Sequence, residues 1–153
     1  MPRAWFDRAF DELTALQLYR IIELRERVFV VEQACVYLDA DGLDPRARHL
    51  WAESGSESES DSESHVIDAY LRLVPAGVKF PELSIGRVIV APGARGTGLG
   101  TELMQRGIAA AGGAAIRIAA QAHLEKFYGE LGFERASADF VEDGIPHLEM
   151  LRR

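Results

Sequence analysis

The order of apolar and polar positions along the chain predicts an α/β domain. Apolar residues recur at helical spacing over residues 14–30, behind a capping box of Thr14 and Gln17, which predicts an amphipathic helix that unwinds near Phe29. Alternating or continuous apolar runs predict strands at residues 49–53, 66–74, 83–90, 114–121, 134–140 and 146–152. Further helices are expected at residues 98–111 and 124–131. Strands that alternate with helices and end in a strand pair predict a mixed sheet.

Composition and charge narrow the classes of function. The 153 residues are 48% apolar and 27% charged, which fits one globular domain over residues 1–153. The net charge of −7 argues against a broad nucleic-acid surface, which needs clustered Lys and Arg. Charged residues interrupt the first ten positions, and no apolar run approaches the ~18 residues of a membrane span. We therefore expect a cytoplasmic protein with neither nucleic-acid nor membrane partners.

Cysteine and histidine usage indicates no metal site. Cys35 is the single cysteine, so the chain has no internal disulfide, and we expect this thiol to pack in the core or line a pocket. The four histidines, at positions 49, 65, 123 and 147, do not have the spacing of metal ligands.

Residues 54–64, SGSESESDSES, carry part of the acidic excess without one apolar side chain. Such a segment cannot offset the entropy of its own ordering by burial, which predicts a flexible acidic loop between two strands. A phosphorylatable or partner-binding patch is the alternative.

The stretch VIVAPGARGTGLGTELM, residues 88–104, places glycines at alternate positions between a predicted strand and a predicted helix. It lacks the last glycine of a dinucleotide fingerprint and the lysine of a P-loop. Its backbone N–H groups can still converge on an anion at the helix N-terminus, where Arg95 adds a charged fork. A glycine-rich turn that only caps the helix is the alternative.

The order strand, R-x-x-G-x-G, helix, strand and FYGELGF, over residues 84–133, resembles the GNAT superfamily of acyl-coenzyme A-dependent N-acetyltransferases. The resemblance implies a mixed, mostly antiparallel central sheet with flanking helices and a splayed acyl-CoA-binding strand pair. It implies that the coenzyme pyrophosphate is held by Arg95, Gly96, Thr97, Gly98, Leu99 and Gly100. The pantetheine arm would meet the backbone of Val88, Ile89 and Val90.

The same resemblance implies roles for two residues further along the chain. Tyr128 stands where the family places a tyrosine beside the coenzyme sulfur, and its phenol can donate a proton to a departing thiolate. Gln121 stands where many members have an asparagine, and it is the expected contact to pantetheine at that position.

The chain is similar to the ElaA-type acetyltransferases across almost its full length, through LRERVFVVEQACVYLDADGLD at residues 24–44, RHL at 48–50, AQAHLEKFY at 120–128 and EDGIPHLEM at 142–150. The pattern of Arg25, Phe29, Asp41 and Asp44 also resembles the amino half of acyl-homoserine-lactone synthases. Those enzymes are longer and usually have a tryptophan at the position of Cys35, which favours acetyl-CoA as the donor.

An acceptor amine must lose a proton before it attacks a thioester, so the site needs a base. Glu32 and His147 are the candidates, with Glu149 as a third. The acceptor is expected to contact Arg25, Phe29, Glu32 and Asp41. Carboxylates outnumber cations in the segments that are expected to line the acceptor cleft, which predicts a cationic acceptor. If Arg25 points into the cleft, it would instead favour an acceptor that carries a carboxylate.

These features predict an N-acetyltransferase that moves an acetyl group from acetyl-CoA to a primary amine of a small molecule or peptide, by direct attack in a ternary complex. No metal is expected, and the oligomeric state is left open between a monomer and a homodimer. A non-catalytic sensor of CoA or acyl-CoA, or an acyl-homoserine-lactone-synthase-like acyltransferase, is the alternative.

Overall fold

The computed structural model describes residues 3–55 and 65–153. The strands are β1 (Ala4–Ala9), β2 (Arg48–Ser54), β3 (Val66–Val74), β4 (Leu83–Val90), β5 (Ile116–Gln121), β6 (Glu134–Arg135), β7 (Phe140–Glu142) and β8 (Ile145–Arg152). The helices are α1 (Ala15–Arg25), α2 (Leu99–Ala110) and α3 (Glu125–Glu130). A π-helical segment, Glu26–Glu32, continues α1, and short 3₁₀ turns complete the chain.

All eight strands belong to one sheet, in the order β1-β2-β3-β4-β5-β8-β6, with β7 beside β8. Every described strand pair is antiparallel except β4 and β5, which run parallel. This mixed, mostly antiparallel sheet confirms the predicted fold class.

Helices cover both faces of the sheet. On one face, α2 contributes Leu99, Leu103 and Met104 to the larger apolar core. On the other face, Ile21 and Leu24 of α1 pack against strand residues of a second core. Burial on both faces makes the sheet a rigid support for the residues at its strand ends.

The first helix differs from its prediction in shape and length. Thr14 caps α1 as expected, because its hydroxyl accepts from Gln17 N–H and the Gln17 side chain accepts from Thr14 N–H. The regular helix ends at Arg25, and the wider segment runs two residues beyond the predicted end, with Gln33 N–H donating to Val28 O at 3.1 Å. The β-branched residues of this stretch disfavour a regular α-helix.

The single strand predicted at residues 134–140 is wrong. Residues 136–139 separate β6 from β7. Ser137 interrupts the ladder because its hydroxyl, and not a backbone carbonyl, accepts from Glu149 N–H at 2.8 Å. The strand β1 was not predicted at all.

The predicted acidic loop lies largely outside the described residues, which exclude positions 56–64. Its flanking strands β2 and β3 are antiparallel neighbours, with Ser54 opposite Val66. None of the described helices is long and apolar enough to cross a membrane.

Candidate active site

A cavity of about 630 Å³ opens where β4 and β5 separate. In the described part of the chain, these strands pair only at Leu83 with Ile116 and at Ser84 with Arg117. Beyond these pairs the strands diverge, and their far ends line the cavity together with the start of α2, α3 and the π-helical segment. The backbone of residues 88–90 therefore faces a cleft on its β5 side.

The glycine-rich turn before α2 forms one end of the cavity. Gly96 and Gly98 have φ of +78° and +80°, a left-handed conformation that residues with a side chain rarely adopt. Gly98 O accepts from Glu102 N–H at 3.2 Å, so the preceding N–H groups of the helix have no partner within it. A Cβ added at either glycine would meet no atom within 4 Å. Open space above free N–H groups is what an anion at a helix N-terminus requires.

Arg95 links this turn to the π-helical segment across the cavity. Its Nε donates to Val90 O at 3.0 Å, and its two terminal nitrogens donate to the Glu32 carboxylate at 3.0 and 2.6 Å. The hydrogen bond from Arg95 lowers the pKa of Glu32. Glu32 is therefore ionised and already paired, which makes it a weaker proton acceptor than a free carboxylate.

Tyr128, on α3, is 6% exposed and lines the cavity. Its ring meets Phe127 and Phe133 edge-on, with centroid distances of 5.1 and 6.0 Å. Burial raises the pKa of Tyr128 to about 12. The phenol is consequently protonated at neutral pH and can act as an acid.

Gln121 and His147 stand opposite each other in the β5–β8 pair, and both line the cavity. His147 Nδ1 lies 2.7 Å from Ile145 O, and because a carbonyl only accepts, this nitrogen carries the proton. In the neutral form of the ring, the lone pair is then on Nε2, which lies 3.9 Å from Glu142 Oε2. This tautomer suits a proton acceptor with a carboxylate beside it.

Comparison with known proteins decides the family. Residues 47–153 match the family described as Acetyltransferase (GNAT) domain. Protein ElaA of Escherichia coli K12 is 36% identical over 154 aligned residues, which cover 97% of this chain and 95% of ElaA. The chain is a GNAT protein of the ElaA type. Its family places it among the acyltransferases.

Solved structures agree with this assignment. An acyl-CoA N-acyltransferase from Pseudomonas aeruginosa superposes with a TM-score of 0.88 at 37% identity, covering 99% of this chain and all of the other. The E. coli ElaA structure gives 0.86, with 99% and 100% coverage. An aminoglycoside 6′-N-acetyltransferase in complex with coenzyme A shares the fold at a TM-score of 0.63 and 14% identity, over 96% of each chain.

The structure places two predicted acceptor contacts of this GNAT protein away from the cavity. Arg25 is 0% exposed, with its Nε 2.7 Å from Asp39 Oδ2 and one terminal nitrogen 2.7 Å from Asp44 Oδ1. Asp41 is held by Arg72. Neither Arg25 nor Asp41 lines the cavity, so the expected direct contacts find no support in the structure: Arg25 is buried with its ionic partners, and Asp41, although exposed, is paired with Arg72 and Arg87.

These side chains belong to an ionic network of three arginines and three aspartates, in which Asp41 is exposed, Arg87 is half-buried and the others are buried. Its members are Arg25, Arg72, Arg87, Asp39, Asp41 and Asp44, and we call them the arginine–aspartate cluster. Their formal charges cancel, which removes Asp39, Asp41 and Asp44 from the carboxylates on which the predicted cationic acceptor rested, whereas Glu142 and Asp143 line the cavity. The pattern that resembles acyl-homoserine-lactone synthases lies mostly in this network and therefore carries little information about the acceptor.

Other candidates are divided between the cavity and its surroundings. Phe29 and Glu32 line it, as does Cys35, whose Sγ lies 3.2 Å from Asp143 O. Glu149 does not line it, and its carboxylate lies 3.1 Å from Arg117. Among the described residues, no group of three His, Cys, Asp or Glu side chains is arranged to hold a metal ion.

Sequence reasoning missed several cavity residues of the GNAT domain. Gln33, whose Oε1 lies 3.3 Å from Gln121 Nε2, directly follows the π-helical segment, beyond the end of the predicted helix. Lys79 lies in the segment between β3 and β4, to which no motif pointed. The sequence offered one indication of Lys79: lysine is rare in this chain, and Lys79 and Lys126 are the two lysines among its 17 Lys and Arg residues.

Proposed function

We propose that this GNAT protein transfers an acetyl group from acetyl-CoA to a primary amine of a small molecule or peptide, by direct attack of the amine in a ternary complex. The observation that carries the proposal is that one cavity joins a turn suited to an anion, a strand that separates from its β5 neighbour and a buried, protonated phenol. A non-catalytic sensor of CoA or acyl-CoA would account for the turn and the strand but would not need the phenol of Tyr128.

The residues present fit coenzyme A. The N–H groups of Leu99 and Gly100, which have no partner within the helix, and the left-handed turn at residues 96–98 suit a pyrophosphate. The guanidinium of Arg95 is paired with Glu32 and Val90 O in this structure, so it would have to exchange the Glu32 carboxylate for the pyrophosphate to take its predicted role. The residue 88–90 backbone and Gln121 border the cleft where an extended pantetheine arm would run. When bound, the acetyl thioester supplies the activated acyl group.

Tyr128 is proposed to donate its proton to the sulfur as the carbon–sulfur bond breaks. When a proton reaches the sulfur during bond cleavage, the coenzyme leaves as a neutral thiol, which is a better leaving group than the thiolate. A phenol whose pKa is about 12 keeps its proton until that step. Burial among Phe127 and Phe133 fixes the ring and excludes water from it.

His147 is proposed to accept the proton of the acceptor ammonium. Its Nδ1–H is committed to Ile145 O, so Nε2 is the accepting atom. Glu32 is the weaker candidate because Arg95 occupies both of its carboxylate oxygens and lowers its pKa. Glu142, close to Nε2, would stabilise the imidazolium that forms.

Free-thiol release from acetyl-CoA, measured against amino acids, polyamines, aminoglycosides and peptides, tests the proposal. We expect release that depends on the amine, with a mass gain of one acetyl group on the acceptor. Tight binding of acetyl-CoA without transfer to any amine would contradict the proposal and favour the acyl-CoA sensor.

A further inference from the structure

The charges that remain after pairing define the acceptor end of the cavity. The arginine–aspartate cluster is neutral as a whole, and Arg95 is paired with Glu32. The remaining charged residues on the cavity wall are Lys79, Glu142 and Asp143. The polarity of the acceptor site therefore depends on these three side chains.

Lys79 has no carboxylate partner in the parts of the chain that the structure describes. Its Nζ lies 5.6 Å from the centre of the Phe80 ring. The segment that carries it is held by two backbone hydrogen bonds, Gly77 N–H to Phe80 O at 2.7 Å and Val78 N–H to Pro75 O at 3.3 Å. A cation on an ordered turn thus faces the cavity with its charge uncompensated by an ion pair.

The surroundings of Lys79 contain further charges of both signs. Partial desolvation and then the charge of Arg87 lower the pKa of Lys79, and Arg72 acts in the same direction. Glu142 and Asp41 raise it by less. Asp41 is committed to Arg72 and Arg87, so it does not compensate Lys79 fully. An anion of the ligand would therefore gain mainly from the ammonium of Lys79, because the guanidinium of Arg87 is paired with Asp39 and Asp41.

The carboxylates come from a different segment, the turn between β7 and β8. Asp143 and Gly144 both have positive φ, 50° and 76°, which is the geometry of a two-residue hairpin turn. Glu142 precedes this turn, with Oε2 3.9 Å from His147 Nε2. An ammonium at this place would meet a carboxylate and the proposed proton acceptor together.

We infer that Lys79 binds a carboxylate of the acceptor, so that the acceptor is an amino acid or a similar amine that carries a carboxylate. The inference rests on the acetyl transfer proposed above. The ammonium lies toward Glu142 and His147, and the carboxylate lies toward Lys79. The two segments then recognise opposite charges of one small molecule, and Lys79 determines specificity without taking part in the chemistry.

The test uses matched acceptors and matched variants at low ionic strength. The probes are the common amino acids, each with its carboxamide and its decarboxylated amine, and spermidine. The variants are Lys79→Met and Lys79→Arg, with Lys126→Met as the control, because Lys126 is the other lysine and does not line the cavity. The readouts are kcat and KM for each amine and the affinity for acetyl-CoA.

We expect at least one amino acid to exceed its carboxamide and decarboxylated amine in kcat/KM by about 10-fold or more. Lys79→Met should raise the KM of that amino acid by about 10- to 100-fold, as expected for loss of a charge-assisted hydrogen bond. It should leave kcat and the affinity for acetyl-CoA within about 3-fold. Lys79→Arg should retain much of the preference, and Lys126→Met all of it.

Two outcomes would overturn the role of Lys79: carboxamides or spermidine that match the amino acids, or an unchanged KM in Lys79→Met. If no amine is acetylated although acetyl-CoA binds, acetyl transfer itself is contradicted. In that case, saturation-transfer NMR can measure whether the amino acids bind in the presence of CoA, which tests the role of Lys79 independently of acetyl transfer. No binding, or equal binding by Lys79→Met, would reject it.

Discussion

Tyr128 supports a direct test of the leaving-group step. Tyr128→Phe keeps the ring that meets Phe127 and Phe133 but removes the acidic proton. Because a general acid typically contributes about 10²- to 10⁴-fold, kcat should fall by such a factor while the affinity for acetyl-CoA changes by less than about 3-fold. Steady-state kinetics and calorimetry measure the two effects.

Tyr19→Phe is the matched control, because Tyr19 is 67% exposed and does not line the cavity. It should leave both quantities unchanged. Full activity in Tyr128→Phe would return Tyr128 to a packing role.

His147 and Glu32 can be separated by the same comparison. His147→Gln should reduce kcat by about 10²-fold or more, whereas Glu32→Gln should cost less than about 10-fold, because Arg95 already occupies its carboxylate. The rate of the native protein should rise with pH as the amine loses its proton. Tyr128, whose pKa is about 12, should cause no fall below pH ~10. The reverse ranking in a pH–rate series would assign the base to Glu32.

Residue types alone indicated chemistry at some positions and misled at others. The resemblance directed attention to Tyr128 and Gly98, whose neighbours in sequence form the motifs. Arg25 and Asp41 were misassigned because a charged residue does not reveal its partners in sequence, and these two are neutralised within the arginine–aspartate cluster. Lys79 was missed because it belongs to no local pattern.

At the scale of elements, the turn before α2 can be tested through ligand-induced stabilisation. Acetyl-CoA should raise the melting temperature of the native protein, and Gly98→Asp should abolish that shift by placing a carboxylate at the helix N-terminus. Gly98→Ala is the control for backbone strain without charge. An alanine held at φ of +80° should lower the stability of the protein by about 1–2 kcal/mol, but acetyl-CoA should still raise its melting temperature. A full shift in a folded Gly98→Asp protein would contradict the assignment of the turn.

Element boundaries were predictable where hydrophobic period and capping agree. Thr14 caps α1 as the sequence indicates, and β3 and β4 have their predicted bounds. The break between β6 and β7 depends on the Ser137 hydroxyl bonding to Glu149 N–H, a contact between distant residues that no local period contains. The widened segment after α1 likewise changes hydrogen-bond partners without changing the apolar spacing.

At the scale of the whole molecule, the arginine–aspartate cluster should contribute strongly to folding. It joins α1, the loop before β2, and β3 and β4. Asp44→Asn should lower the free energy of unfolding by about 3–5 kcal/mol, because the buried Arg25 and Arg72 lose the carboxylate they share and the cluster is left with one uncompensated positive charge. Arg48→Met, which removes an exposed pair with Asp7, should cost less than about 1 kcal/mol. Urea denaturation measures both variants. If Asp44→Asn and Arg48→Met lower the free energy of unfolding equally, burial does not determine how much an ion pair contributes to stability.

Asp44 and its neighbour His49, whose Nε2 lies 3.0 Å from Asp44 O, also predict how stability depends on pH. Burial lowers the pKa of His49, so the unfolded chain takes up its proton first and stability is lost as pH falls below ~6.5. Burial alone would raise the pKa of Asp44, but Arg25 and Arg72 outweigh it and lower that pKa. The contribution of Asp44 is thus present above pH ~4 and lost below. Denaturation curves of His49→Gln should show a smaller decline between pH 7 and 5; an identical decline would exclude His49 as its source.

The scarcity of lysine turns Lys79 into a chemical reporter. Amine-reactive reagents modify neutral amines, and the lowered pKa of Lys79 gives it a larger neutral fraction than a lysine at its ordinary value. Lys126, the other lysine, lies outside the cavity and provides an internal reference in the same peptide digest. The labelling ratio of these two amines therefore measures how fully the cavity is occupied, before any turnover assay exists.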